Sequence, residues 1–431
     1  MKKALILCAV FMLVAGSVFA AGAKEESGPI VLKYWTHEDP NRTRIEEQYI
    51  QEFEAANPNI KIERTTQSST KMIELVQTAF AANSGPDIFN LSIEDEYQYI
   101  VNGRVAPVNP QAAGYTDMND LLDTYAEGML DPVMVDGKIY GLPLELTNWC
   151  IFINKKVFRS AGLDPETDYP KTWEEMADIS EQLVIRDGDI LVRRGFDFRY
   201  PYYLVAMLPM VEQLGGQLIS DDGRTAIVNE GAWLKFLSYM QQWGPSGRNL
   251  GSPTYKNARS LFNKDLNDIG MAHTGLYQIG RIRAENQEFY DSGEWMVVPF
   301  PTFEDAVNDV AASFYGHYLM VNAQSSKATQ DAAWKFIGYM LEHAEEYLNE
   351  VSLIQPTKAL LSSDTYKNIP YSDVFTKDFD RGHIVYYGAA SAEFQTLIRS
   401  AVESVMLSGE TPEKALATLK RAAQELLDEQ L

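Results

Sequence analysis

Between Ile30 and Leu91 the sequence switches repeatedly between two periods, and this alternation restricts the fold more than any other feature. Ile30–Trp35 is a short apolar run of strand character. Ile45, Tyr49, Phe53 and Ala56 then recur at helical spacing until Asn57-Pro58 ends the helix. Ile60, Ile62 and Arg64 alternate with their neighbours as a second strand. Met72, Leu75, Val76, Ala79 and Phe80 mark a second amphipathic helix, closed by Asn83-Ser84-Gly85. Pro86–Leu91 is a third strand. Strand, helix, strand, helix, strand requires parallel crossovers, and so an α/β sheet.

A second unit begins near Pro143, and Leu146–Asn154 reads as a strand crossing out of the first one. Thr172 with Glu175 three residues later predicts a capped helix through Trp173, Met176, Ala177, Ser180, Leu183 and Val184. Further helical faces run through Leu234–Trp243 and Ala332–Leu341. A last helix is capped by Thr411 with Pro412 at its first position. There is no internal repeat and no long low-complexity linker. The two units therefore share a chain that passes back and forth between them.

Composition narrows the function. The chain has 431 residues, long enough for two domains with ample core, and its 45% apolar content excludes a disordered chain. Its formal charge of −23 repels phosphate backbones, which argues against nucleic-acid partners. Lys2 and Lys3 precede an apolar run from Ala4 to Ala15 and a small-residue site at Val18-Phe19-Ala20. This pattern predicts an export signal over residues 1–21, cut after Ala20 or Ala21, which makes the mature chain two charges more negative. No small residue precedes a cysteine at the cut, so no lipid anchor is expected. Cys8 leaves with the signal, and Cys150, between Trp149 and Ile151, is expected to be a buried thiol.

Signatures of catalysis are thin. The sequence has no G-x-S-x-G, H-E-x-x-H, Walker or C-x-x-C motif. His37, His273, His317, His343 and His383 lie without ligand spacing, so neither a metal site nor a cofactor is expected. Glu94, Asp95 and Glu96 could serve a secreted glycoside hydrolase, but a solvated acidic turn explains them as well.

Several short stretches together resemble one family. They include Asn57-Pro58-Asn59-Ile60-Lys61-Ile62, Ser84-Gly85-Pro86-Asp87-Ile88-Phe89 and Asp136-Gly137-Lys138-Ile139-Tyr140-Gly141-Leu142-Pro143. Pro170-Lys171-Thr172-Trp173-Glu174-Glu175, Ala332-Ala333-Trp334-Lys335-Phe336 and Thr411-Pro412-Glu413-Lys414-Ala415-Leu416 continue the series. In this order they resemble the extracellular solute-binding proteins of ABC importers, in the sugar-type, maltose-binding-protein-like class. The resemblance implies a two-lobe type II periplasmic binding fold, each lobe a mainly parallel sheet flanked by helices, joined by a multi-strand hinge. Residues 22–144 and 300–349 would form the N-terminal lobe, and 145–299 and 350–431 the C-terminal lobe. The protein would be a non-enzymatic periplasmic monomer that captures a sugar and delivers it to a membrane permease.

By the same resemblance, ligand would lie at strand ends facing the cleft. Sugars offer C–H faces to aromatic rings and hydroxyls to planar polar groups. The implied wall is Trp35, His37, Asp39, Asn90 and Glu94 from the first lobe. Asn148, Trp149 and Tyr277 come from the second, Tyr315 and His317 from the returning segment, and Tyr387 from the rim. Tyr277 stands where relatives often carry tryptophan, and Leu91 replaces a stacking tryptophan of the maltose type, against a maltodextrin ligand. A glycerophosphodiester or a polyamine is the alternative. The implied wall offers a phosphate no arginine, with Arg42, Arg44 and Arg381 the nearest in sequence.

Overall fold

The computed structural model describes residues 28–198, 203–251 and 258–430. The expected export signal and the Tyr200-Pro201-Tyr202 stretch lie outside them. Among the described residues twelve strands follow in chain order: β1 (Ile30–His37), β2 (Ile60–Gln67), β3 (Ile88–Ser92), β4 (Met134–Val135), β5 (Lys138–Ile139) and β6 (Leu142–Thr147), then β7 (Trp149–Asn154), β8 (Ile185–Asp187), β9 (Ile190–Asp197), β10 (Ile269–Gly275), β11 (Trp295–Val298) and β12 (Tyr315–Val321). The helices predicted after β1 and β2 are present as Pro40–Ala56 and Ser69–Ala81.

Two five-stranded sheets organise two lobes. The first has the order β2-β1-β3-β12-β6, the second β11-β7-β10-β9-β8. β1 runs parallel to both β2 and β3, as the crossover pattern requires. β12 instead pairs antiparallel with β3 and β6, and β7 antiparallel with β10 and β11. The sheets are therefore mixed rather than mainly parallel. The physical reason lies in the connections: β7 and β12 enter their sheets directly from the other lobe, and β6 leaves directly for it, without a crossover helix to turn the chain around.

The single strand expected over Leu146–Asn154 is two strands broken at Asn148, one in each sheet. Both are fully buried, and the sequence marks the break only by a change from the alternation of Leu142, Leu144 and Leu146 to the apolar run Trp149–Ile153. The chain returns to the first lobe at β12 and leaves it after the helix Ala344–Val351, where Leu146 N–H donates to Ile354 O at 2.9 Å. Helices Ser391–Leu407 and Pro412–Gln430 then pack beside Glu230–Trp243.

Local chemistry explains the boundaries. Thr172 accepts from Glu175 N–H and the Glu175 carboxylate reaches back to Thr172, a complete capping box. Asp136 and Gly137 both take positive φ, 49° and 71°, in the two-residue turn joining β4 to β5. Gly316 is required by close approach, since a Cβ there would lie 2.1 Å from Glu145 O across the β12–β6 ladder. Trp173 and Trp334 are core residues, 0% and 1% exposed.

Candidate functional site

The carboxyl ends of β1 and β3 and the amino end of the antiparallel β12 converge on one buried polar cluster, at the edge where an open α/β sheet presents its ligand site. Asn90, on β3, accepts the His37 backbone N–H through Oδ1 at 3.1 Å, which fixes the orientation of its amide. Its Nδ2 then donates to Nδ1 of His37 at 2.7 Å and to Nδ1 of His317 at 3.0 Å. The His317 ring therefore carries its proton on Nε2. Nε2–H of His317 donates to the Tyr315 hydroxyl at 2.9 Å, and Nε2 of His37 faces Glu145 at 3.8 Å. The two imidazoles stack with centroids 4.1 Å apart. Burial, with Arg42 adding its charge, lowers His317 to about 3, and burial also holds His37 well below its ordinary value. Both rings are neutral at pH 7.

Arg42 underlies this wall. It is fully buried, donates to Thr36 and Glu46, and brings Nη1 within 3.2 Å of His37. Glu46 in turn pairs with Arg64 and accepts from Tyr347. Such a network stays intact only while every member is present, because one lost partner leaves a buried charge bare. Asn90 thus presents a wall held rigid from behind.

Histidines far apart in sequence do come together here: His37, Glu145 and His317 hold ligand-type atoms within 4.8 Å of one another. Their geometry is that of a hydrogen-bond network. The rings lie face to face, Asn90 occupies both Nδ1 lone pairs, and the Arg42 guanidinium opposes a cation beside His37.

The second lobe supplies aromatic groups. Trp149 opens β7 and meets Tyr315 at 5.5 Å and His273 at 5.2 Å between centroids. Tyr277 starts the helix Tyr277–Glu285 and meets Tyr315 at 5.9 Å, with the Arg281 guanidinium 5.7 Å from its own ring centroid. Arg281 crosses to the first lobe and forms an ion pair with Asp39. It is an arginine the sequence reading missed, since nothing marks one residue on an ordinary helix until the lobes are docked. Glu145 was missed for a similar reason, lying inside an apolar strand.

The remaining expected residues are placed as follows. Trp35 is half-buried on the same strand face as His37, by the alternation of β1. Asp39 also caps Pro40–Ala56, accepting from Asn41 N–H at 3.1 Å. Asn148 donates to Phe375 O at 3.0 Å, so its amide ties the crossing point to the terminal segment. Cys150 is a free, buried thiol. Tyr387 lies apart from the histidine cluster, lining a pocket of about 390 Å³ with Glu212, Gly216, Leu218 and Asn308. Glu94 follows β3 and is 8% exposed; burial first, and the neighbouring Asp95 second, push its carboxyl up to about 7.

Two mixed sheets exchanging strands, with polar strand ends on one side and aromatic groups on the other, define a two-lobe binding protein of the α/β class. The chain belongs to the bacterial extracellular solute-binding proteins, whose family pattern matches residues 39–347. A binding protein of Brucella abortus is 22% identical over 426 residues, covering 95% of this chain and 96% of its own. The arabinooligosaccharide-binding protein of Halalkalibacterium halodurans is also 22% identical, over 90% of this chain and 82% of its own. Among solved structures, an ABC transporter solute-binding protein of Thermotoga lettingae bound with alpha-D-tagatose superposes with a TM-score of 0.80 at 19% identity. That match covers 92% of this chain and all of the other. The GacH receptor of Streptomyces glaucescens, solved unliganded and with acarbose, reaches 0.79 at 19% identity, over 93% and 99%.

Proposed function

We propose that this protein captures a sugar or oligosaccharide between its lobes and hands it to the membrane permease of an ABC importer. The observation that carries the reading is the opposition of two chemistries: planar donors and acceptors at Asn90, His37 and His317, joined by Tyr315, against the rings of Trp149 and Tyr277 that meet Tyr315 from the second lobe. That is the pairing a sugar needs, with hydroxyls on one side and C–H faces on the other. Relatives named for arabinooligosaccharide and galactooligosaccharide binding support the substrate class. The ligand wall comprises Trp35, His37, Asp39, Asn90, Glu94, Asn148, Trp149, Tyr277, Tyr315, His317 and Tyr387.

The lobes divide as 22–144 with 300–349 and 145–299 with 350–431. The break at Asn148 supports the first crossing, while hydrogen bonds from residues 302–313 to Lys171, Gln213 and Val205 tie the start of the returning segment back to the second lobe. The protein acts as a monomer, without cofactor or catalysis, after export and removal of residues 1–21. The acidic charge supports solubility and leaves nucleic acid aside.

A second reading is a phosphate-bearing ligand, because a sn-glycerol-3-phosphate-binding periplasmic protein of Shigella flexneri is 21% identical over 425 residues. Arg281 is the cation at hand, but Asp39 already neutralises it, which favours the sugar. Calorimetry with arabino-, galacto- and gluco-oligosaccharides and with sn-glycerol-3-phosphate tests the two readings. Saccharide binding should lower the radius of gyration in small-angle scattering, with no reducing sugar released. Binding of the phosphate alone would overturn the sugar reading.

A further inference from the structure

A cavity of about 750 Å³ lies apart from the histidine cluster, within the roughly 300–1,000 Å³ of small-molecule sites. No residue of the proposed ligand wall lines it. One side is built by residues 111–115, by Tyr125 and by the helix Lys327–Glu342 through Lys335 and Tyr339. The other side is Gln355, Thr357, Ala359 and Leu360, where the chain has just crossed out of the first lobe. That crossing is pinned to the first side: Ala126 N–H donates to Pro356 O at 2.9 Å, and Tyr125 bridges Thr357. Leu360 then packs with Phe152, Trp295 and Phe375 in the core of the second sheet.

Gln355 carries the decisive observation. It lines the cavity and is only 2% exposed, yet among the described residues its side-chain amide has no hydrogen-bond partner. A buried amide left unpaired is costly, so a ligand that pairs it gains. In the same cavity the hydroxyls of Tyr115 and Tyr125 lie 3.1 Å apart; one donates to the other, and one O–H stays available. Nδ1–H of His343 donates to the Tyr339 carbonyl at 2.7 Å, which leaves Nε2 of the neutral ring an acceptor.

These groups discriminate between ligand charges. An anion only accepts, so it would face the Nε2 lone pair and the exposed carboxylates of Glu342, Glu345 and Glu346 at the rim, while the Lys335 ammonium already donates to Asn57. A cation only donates, and would leave the Gln355 NH2 unpaired. Hydroxyl groups donate and accept, and so answer the amide, the phenols and the imidazole together.

We propose that this cavity is a second binding site, for a small neutral polyhydroxylated ligand such as a mono- or disaccharide or a polyol, held by Gln355, the Tyr115–Tyr125 pair and His343. It stands apart from the cleft and does not depend on what the cleft binds.

Saturation-transfer NMR at pH 7 on the mature chain carrying Asn90→Ala, which weakens the cleft, decides it. The probes are glycerol, myo-inositol, trehalose, maltose and lactose, with spermidine and sn-glycerol-3-phosphate as charged controls. At least one neutral probe should still bind. Its affinity should fall about tenfold or more when Ala359→Trp fills the cavity from an exposed position, and likewise when Gln355→Leu removes the amide at similar volume. No neutral probe bound, or neutral binding undiminished by Ala359→Trp, would overturn the site. Binding undiminished by Gln355→Leu would overturn the contact assigned to its amide; should that variant fail to fold, Ala359→Trp decides alone. A charged control bound more tightly than every neutral probe, and lost in Ala359→Trp, would overturn the ligand class.

Discussion

Asp39 caps the helix Pro40–Ala56 with one carboxylate oxygen and reaches across the cleft to Arg281 with the other. Asp39→Asn keeps the cap, because asparagine is as good an N-cap as aspartate, and removes only the charge. A buried cation stripped of its partner is costly, and separating the lobes returns Arg281 to water. The variant should therefore show a larger radius of gyration without ligand and bind saccharide about tenfold more weakly, equivalent to about 1.4 kcal/mol. Its melting temperature should stay close to that of the parent, which a purely structural role for the pair would not allow. At Glu94 the measurable quantity is a pH slope. Its folded carboxyl is pushed up to about 7 from an ordinary 4.5, chiefly by burial. Below pH 4.5 the group is protonated whether folded or not, and contributes nothing. As pH rises towards 7 the unfolded chain loses the proton while the folded one keeps it, so stability falls, by roughly 3 kcal/mol in full. Glu94→Gln should match the parent in denaturant midpoint at pH 4 and exceed it at pH 8; equal midpoints at both pH values would refute the shift. The place of Asn90 and His37 at strand ends was readable from apolar runs and their limits. The identity of their neighbours was not, since the contact between His37 and His317 depends on the pairing of β3 with β12.

Elements with strong local chemistry were the legible ones. Pro40–Ala56, Trp173–Leu183 and Pro412–Gln430 each combine a helical apolar face with a recognisable first turn, and each forms where the pattern puts it. The crossing strands were harder. β6 alternates Leu142, Leu144 and Leu146 with Pro143, Glu145 and Thr147, whereas β7 is an apolar run buried on both faces, and Asn148 alone is too short a signal to divide them. β12 shows its role only through Gly316, where β6 approaches too closely for a side chain. Gly316→Ala should destabilise the fold by roughly 1–3 kcal/mol, as overpacking does, towards the upper end because the clash is with a backbone carbonyl. The loss should appear in thermal melts of the free protein and be matched by faster hydrogen exchange along β12. A melt unchanged within a degree would mean that β6 and β12 have room to separate.

At the scale of the whole molecule the sheet order has a consequence in time. The first sheet places β12, residues 315–321, between β3 and β6, whose own strands end at Ser92 and Thr147. Until residue 321 has been made, that sheet exists only as β2-β1-β3 on one side and a lone β6 on the other. The second lobe waits longer still, because Glu230–Trp243 packs against helices that end at Leu407 and Gln430. Pairings this distant along the chain form slowly, since the intervening loop must close before any contact rewards it. A chain stopped at residue 300 should therefore show no cooperative unfolding transition in a denaturant titration, although it holds more than two-thirds of the sequence. A growing polypeptide of this design stays threadable until its synthesis is nearly finished, as a protein bound for the far side of a membrane must. The middle strand that completes the binding wall is also the late arrival that keeps the chain from folding too soon.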